Sequence, residues 1–222
     1  MQYINQALVS EIRQKFCNVN RCPISGDRIF FENAGGALTL KSALETTTKF
    51  ASIPDNQGRD NLASQALNDV IKNAKSDLSE LFNTQSGEFF MGESGTELLF
   101  RLIRNAVVAS PSGGSVVGTS LEHPASRSAA KKWSNEMDYT YLSVPHSVET
   151  GTVNPKNYAD KISDTTRVVT IVHASPVTGM GTKIKEISKI VRQKAPLAFI
   201  IVDGIQHAAH GGIDIESYDI DG

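Results

Sequence analysis

The stretch Val168-Val169-Thr170-Ile171-Val172-His173 and its later counterpart Leu197-Ala198-Phe199-Ile200-Ile201-Val202-Asp203 decide the fold. Each is a run of apolar, largely β-branched residues without polar alternation, the pattern of a strand buried on both faces. Between them, Lys183 to Gln193 has helical spacing. Two buried strands joined by a helix make a parallel pair. Working outward, Ser115-Val116-Val117-Gly118 and Tyr139 to Val144 read as two more strands. The helix between them opens at His123-Pro124 and runs to about Met137, Pro being tolerated in a first turn. Further upstream, Glu88-Phe89-Phe90-Met91 reads as a strand, Gly92 to Thr96 as a turn, and Glu97 to Val108 as a helix. Longer helical spacing covers Asp60 to Phe82, and Ile4, Leu8, Ile12 and Phe16 mark a helix near the start. The pattern predicts an α/β chain whose mostly parallel sheet is covered on both faces.

Composition narrows the function. The 222 residues are 40% hydrophobic and 21% charged, enough for one large domain with a sizeable core. Twenty-two basic against 24 acidic residues give a net charge of -2. No basic excess is available for a phosphate backbone, so nucleic-acid binding is not expected. No apolar run approaches the roughly 20 residues of a membrane span, and no charged, then apolar, leader opens the chain. The cytoplasm is the expected compartment. Cys17 and Cys22 are the only cysteines; a lone C-x4-C pair makes neither a disulfide framework nor a good zinc site.

In sheets of this kind ligands bind beyond the carboxyl ends of the strands. The residues to weigh are therefore Ser94-Gly95-Thr96, Glu122-His123, His173 to Gly179 and Asp203 to His207. The P-loop, the dinucleotide fingerprint and the nucleophile elbow are all absent, which argues against a nicotinamide-linked enzyme. Ser94-Gly95-Thr96 enters a helix, where backbone N–H groups and the helix dipole attract an anion; the same residues also serve as a plain helix cap. Asp203 puts a carboxylate at the end of an apolar strand. There it wants a cation, a metal or a protonated ring nitrogen, unless it only caps the next turn. His207 and His210 are spaced to share a helical face, but no second ligand pair accompanies them, and a structural role fits them better.

Taken in order, these segments resemble the class V aminotransferase family, the fold type I pyridoxal-phosphate enzymes that include the cysteine desulfurases. Phe30-Phe31-Glu32-Asn33-Ala34-Gly35-Gly36 is similar to the family's D-N-A-A segment. Ser94-Gly95-Thr96-Glu97 resembles its G-T-T-E turn, and Glu122-His123-Pro124-Ala125 its E-H-H-A. His173-Ala174-Ser175-Pro176-Val177-Thr178-Gly179 parallels H-V-S-N-V-T-G, and Val202-Asp203-Gly204-Ile205-Gln206 parallels V-D-G-A-Q. The likeness covers about residues 25 to 222, with residues 1–24 as a separate N-terminal helical segment.

The resemblance implies a three-layer α/β/α large domain, C-terminally incomplete here, with pyridoxal 5'-phosphate as cofactor and no metal. It implies that Gly95 and Thr96 bind the cofactor phosphate and that His123 stacks on the pyridine ring. Asp203 pairs with the protonated ring nitrogen, and Gln206 bonds the ring hydroxyl oxygen. A charge pair of that kind is worth on the order of 4 kcal/mol at ~4 Å and an effective dielectric of ~20, before desolvation. The Asn33, Ala34 and Gly35 backbone approaches the substrate carboxylate. The substrate is an amino acid, the reaction transamination, desulfuration or another lyase step, or epimerisation, and the working form a homodimer. The alternative is a non-catalytic descendant that keeps the scaffold for binding or assembly.

Four positions depart from the family pattern: Pro176 replaces Asn, Pro124 replaces the second His, and Gly35 and Gly36 replace Ala and Thr or Ser. The Schiff-base lysine is expected a little beyond the position of Gly222, and no lysine of this chain stands in an S-x-H-K-type motif. The resemblance also implies a seven-stranded sheet in which Glu88–Met91 pairs only with a later strand. That strand and the turn at Ser94 to Thr96 are therefore expected to be detached, and the chain alone to be a poor folder without activity.

Overall fold

The structure is a computed structural model in which residues 5–54 and 57–222 are described; Ile4, the first position of the expected N-terminal helix, lies outside them. The chain divides into two compact units, residues 1–75 and 76–222. In the first, α1 (Gln6–Gln14) is capped by Asn5, whose side-chain oxygen accepts the Ala7 N–H. A two-residue hairpin follows, β1 (Arg21–Cys22) against β2 (Gly26–Asp27). Then comes α2 (Lys41–Ala51), a helix the sequence reading leaves unassigned and which buries no residue. The long helix expected over 60–82 is α3 (Leu62–Leu81).

The second unit carries the sheet. Its elements are α4 (Gly95–Ala109), β3 (Ser115–Thr119), α5 (Pro124–Glu136), β4 (Thr140–Val144), α6 (Pro155–Ala159), β5 (Thr166–Val172), α7 (Ile184–Lys194) and β6 (Phe199–Asp203). The four strands pair in the order β4-β3-β5-β6, and every pairing is parallel. Strand alternation assigns the layers. Val116, Val168 and Ile201 face one core with Leu99, Ile103 and Val107 of α4 and Ala129 and Ala130 of α5. Their neighbours Val117, Val169 and Ile200 face the other, with Tyr158 of α6 and Ile184, Ile187 and Val191 of α7. The result is the α/β/α sandwich expected from the unbroken apolar strands. Among the described residues no helix is long and apolar enough to cross a membrane.

Two expectations are corrected here. Glu88 to Met91 is not a strand, and Phe90 is 80% exposed. A strand needs a hydrogen-bonded neighbour for its backbone, and this segment is in no sheet. The turn at Ser94 to Thr96 is not detached with it. It starts α4, whose inner face is packed, and a Cβ on Gly95 would overlap Ile205 Cδ1 just beyond β6. The outer edge of β6 is met instead by Asp221 and Gly222. Val202 N–H donates to the Gly222 carbonyl at 2.8 Å, and Asp221 and Gly222 donate to the Ile200 carbonyl at 3.0 and 3.1 Å.

Candidate cofactor site

Asp203 is the last residue of β6 and is only 7% exposed. A buried carboxylate requires donors, and it has two. Ile205 N–H donates to Oδ1 at 3.2 Å and the Ser126 hydroxyl to Oδ2 at 3.3 Å. Ser126 lies in the first turn of α5, three residues beyond His123, which caps that helix. His123 Nδ1 accepts the Ala125 N–H at 3.1 Å, so the neutral ring carries its proton on Nε2. The ring itself is exposed. The carboxylate and the histidine are thus tied to one helix start at the carboxyl end of the sheet.

The start of α4 is built from its sequence. Ser94 is the N-cap, with its hydroxyl accepting the Glu97 N–H at 3.2 Å. Glu97 reaches back to accept the Glu93 N–H at 3.0 Å and pairs with Arg101 at 2.8 Å. These two contacts, the Glu93 N–H first, hold the Glu97 carboxyl below its usual range. The geometry is close to a capping box. The N–H groups of Gly95 and Thr96 have no intrahelical acceptor, as in any first helical turn. Ser94 thus caps the helix, and the next two residues present N–H donors. Gly95 and Asp203 line the same cavity of about 520 Å³, walled also by Phe90, Leu98, Leu102 and Ile205.

Thr96 and His123 are exposed and Gln206 is half-buried; none of the three is in that cavity wall. Asn33, Ala34 and Gly35 belong to the first unit, in an exposed turn closed by the Gly35 and Gly36 N–H groups on the Glu32 carbonyl, at 3.0 and 3.1 Å. His207 lies in a turn rather than a helix, and its ring stacks on His173 with centroids 3.6 Å apart.

Sequence reasoning gave no role to three of the residues around the site. Ser126 had a legible signal, a hydroxyl one helical turn after His123. His173 is buried between His207 and the edge of Tyr218, with Nδ1 lacking a partner among the described residues. Burial, then the neighbouring His207, lowers it to about 4. Glu122 is 3% exposed. Its Oε1 accepts the Thr119 hydroxyl at 3.4 Å, and Oε2 is buried without a partner among the described residues. Burial, reinforced by the charge of Asp203, raises its carboxyl to about 8.

A parallel α/β/α sheet with anion-ready amides and a buried carboxylate at its carboxyl edge defines a ligand-binding α/β domain of the phosphate-cofactor kind. The chain belongs to the aminotransferase class-V family, whose model matches residues 29–222. It is 29% identical over 205 residues to a cysteine desulfurase-like protein (ustD) of Aspergillus flavus, covering 89% of this chain and 46% of that protein. Two solved structures share the fold. The apo cysteine desulfurase of Thermococcus onnurineus superposes with a TM-score of 0.81 at 17% identity, over 96% of this chain and 51% of that one. A mutant of the protein C-DES with glycine covalently linked to its PLP cofactor gives 0.76 at 20% identity, over 94% and 53%. The chain thus spans about half the length of these relatives. Family membership indicates pyridoxal phosphate as the cofactor.

Proposed function

We propose that the second unit holds pyridoxal 5'-phosphate for an enzyme acting on an amino acid by transamination, desulfuration or another lyase step, or epimerisation. The observation that carries this reading is the shared cavity of Gly95 and Asp203, which brings the first residue of α4 and a buried carboxylate to one sheet edge. The donor set suits a molecule with a phosphate at one end and a basic ring nitrogen at the other.

In this reading the Gly95 and Thr96 N–H groups and the Thr96 hydroxyl bind the phosphate, aided by the α4 dipole. His123, with its ring oriented by the cap bond to Ala125, would stack on the pyridine ring. Asp203 keeps a proton on the ring nitrogen, and Ser126 and Ile205 hold the carboxylate in place for that contact. Gln206 bonds the ring hydroxyl oxygen. Asn33, Ala34 and Gly35 take the substrate carboxylate, where small residues let the backbone approach. Bound there, the cofactor supplies an electron sink for carbanion chemistry at the amino acid. Exposed apolar side chains in the first unit, Ile24, Ile29 and Phe31, support a homodimer, because such groups favour covering by a partner.

The test is a binding titration of the chain with pyridoxal 5'-phosphate and, in parallel, with pyridoxal. The phosphate turn predicts at least a tenfold preference for the phosphorylated form. Equal affinities contradict it.

A further inference from the structure

We propose that Glu122 is a positioning residue for the cofactor's ring nitrogen: it keeps its own proton, so that the single negative charge of two neighbouring buried carboxyls rests on Asp203. This deepens the cofactor reading and rests on it for the role of Asp203.

The geometry separates the two carboxyls. Asp203 receives a hydroxyl and a backbone N–H, one on each oxygen, and lines the cavity. Hydrogen bonds to the charged form favour that form. Glu122 accepts the Thr119 hydroxyl at 3.4 Å and is helped by the Thr119 and Val172 backbone, but burial outweighs these contacts and Oε2 is buried without a hydrogen-bond partner among the described residues. A carboxylate in that setting is strongly disfavoured, whereas a carboxylic acid is not. The groups whose charges act on one another here come from three elements packed around Glu122: Asp203 of β6, Tyr141 of β4 and Tyr158 of α6. Both tyrosines are themselves raised, mainly by burial, Tyr141 to about 12, so they are neutral through the physiological range. No cation is among the groups acting on Glu122; Arg127 acts on Tyr141. The pair therefore shares one charge, as two close carboxyls do elsewhere, and the donors decide which oxygen atoms carry it.

The arrangement has a purpose in the proposed site. An ionised Glu122 would place a second negative charge beside Asp203. A neutral Glu122 leaves Asp203 charged and aimed at the ring nitrogen.

The experiment is carboxyl 13C NMR on the full chain with labelled Glu and Asp, titrated from pH 5 to 9. The Glu122 signal is assigned by its absence from Glu122→Gln or, equally, from Glu122→Met. The expected result is a Glu122 carboxyl that titrates near 8, with the Asp203 signal shifting in step. In Asp203→Asn, or in Asp203→Ser should the first variant fail to fold, the Glu122 midpoint falls but stays above the ordinary glutamate range, because burial persists. A Glu122 ionised at pH 7, or a midpoint indifferent to both Asp203 variants, overturns the proposal. Adding pyridoxal 5'-phosphate provides a separate readout. A perturbed Asp203 signal supports the cofactor reading. An unmoved one, with the Glu122 coupling intact, overturns that reading and with it the role assigned to the pair, while leaving the measured coupling as a separate result.

Discussion

The Ser126 hydroxyl donates to Asp203 Oδ2 at 3.3 Å across 77 residues of sequence, and this bond links the helix start that carries His123 to the end of β6. It fixes one of the two oxygens of the carboxylate on which the proposed site depends. Ser126→Ala removes a donor from a buried charged acceptor, a loss worth about 1–3 kcal/mol. Chemical denaturation is expected to show a drop of that size, and cofactor affinity is expected to weaken with it. Unaltered stability and affinity would show that the bond is incidental.

His123 has two separable tasks, capping α5 and presenting an exposed ring. Asparagine is a good N-cap without an aromatic face. His123→Asn is therefore expected to keep the melting temperature close to wild type while reducing affinity for pyridoxal 5'-phosphate. His123→Ala loses both, with about 0.5–2 kcal/mol of stability from the missing cap. Identical binding by His123→Asn and wild type would remove ring stacking from the account.

Two groups give stability opposite pH dependences, an acid limb from His173 and an alkaline limb from Glu122, which offset each other between pH ~4.3 and ~6.5 and leave a net fall from pH ~6.5 to 8. His173 is depressed to about 4 by burial and by His207, below its unfolded value of ~6.5. The unfolded chain binds the proton first, so stability present above pH ~6.5 is lost as pH falls toward 4. Glu122 is raised to about 8 by burial and by Asp203, above its unfolded value of ~4.3. Its contribution is fully present below pH ~4.3 and is lost as pH rises toward 8. Melting temperatures from pH 4 to 9 check both limbs. His173→Phe should leave stability falling with pH from ~4.3 to 8, and Glu122→Gln should leave it rising from pH 4 to ~6.5 and level above, and a variant that keeps the wild-type profile counts against that assignment.

Gly114 precedes β3 at φ +114°, and a Cβ there would overlap the Thr165 carbonyl oxygen. Backbone cannot yield as a flexible side-chain tip does. Gly114→Ala is expected to destabilise the sheet unit by roughly 2 kcal/mol or more. A melting temperature within a degree of wild type would show that the loop relaxes freely.

The sheet was legible because the strand centres, Val116-Val117 of β3, Val168 to Val172 of β5 and Phe199 to Val202 of β6, lack polar alternation, the pattern of burial on both faces. Asp203 and the Ser94–Thr96 turn were legible for a related reason: a charge ending such a run, and a Ser-x-x-Glu entering a helix, are local signals. Glu88–Met91 misled because its composition suits a strand, while strand formation depends on a neighbour that composition does not reveal. α2 was passed over because its apolar residues are few and none is buried. Glu122 and His173 stand at strand ends that the sequence marks, but their roles are not legible there because their surroundings come from residues distant in sequence: Tyr141, Tyr158 and Asp203 for the first, His207 and Tyr218 for the second. Nothing local marks a glutamate as one that keeps its proton.

The claim that Asp203 holds the cofactor's ring nitrogen is tested most directly by measuring pyridoxal 5'-phosphate affinity for the chain and for Asp203→Asn, which keeps the side chain's shape and removes its charge. The account predicts at least a tenfold loss of affinity, about 1.4 kcal/mol, with a melting transition that still shows a folded sheet unit. Equal affinity in two folded proteins, or no binding by the folded wild type, would contradict it.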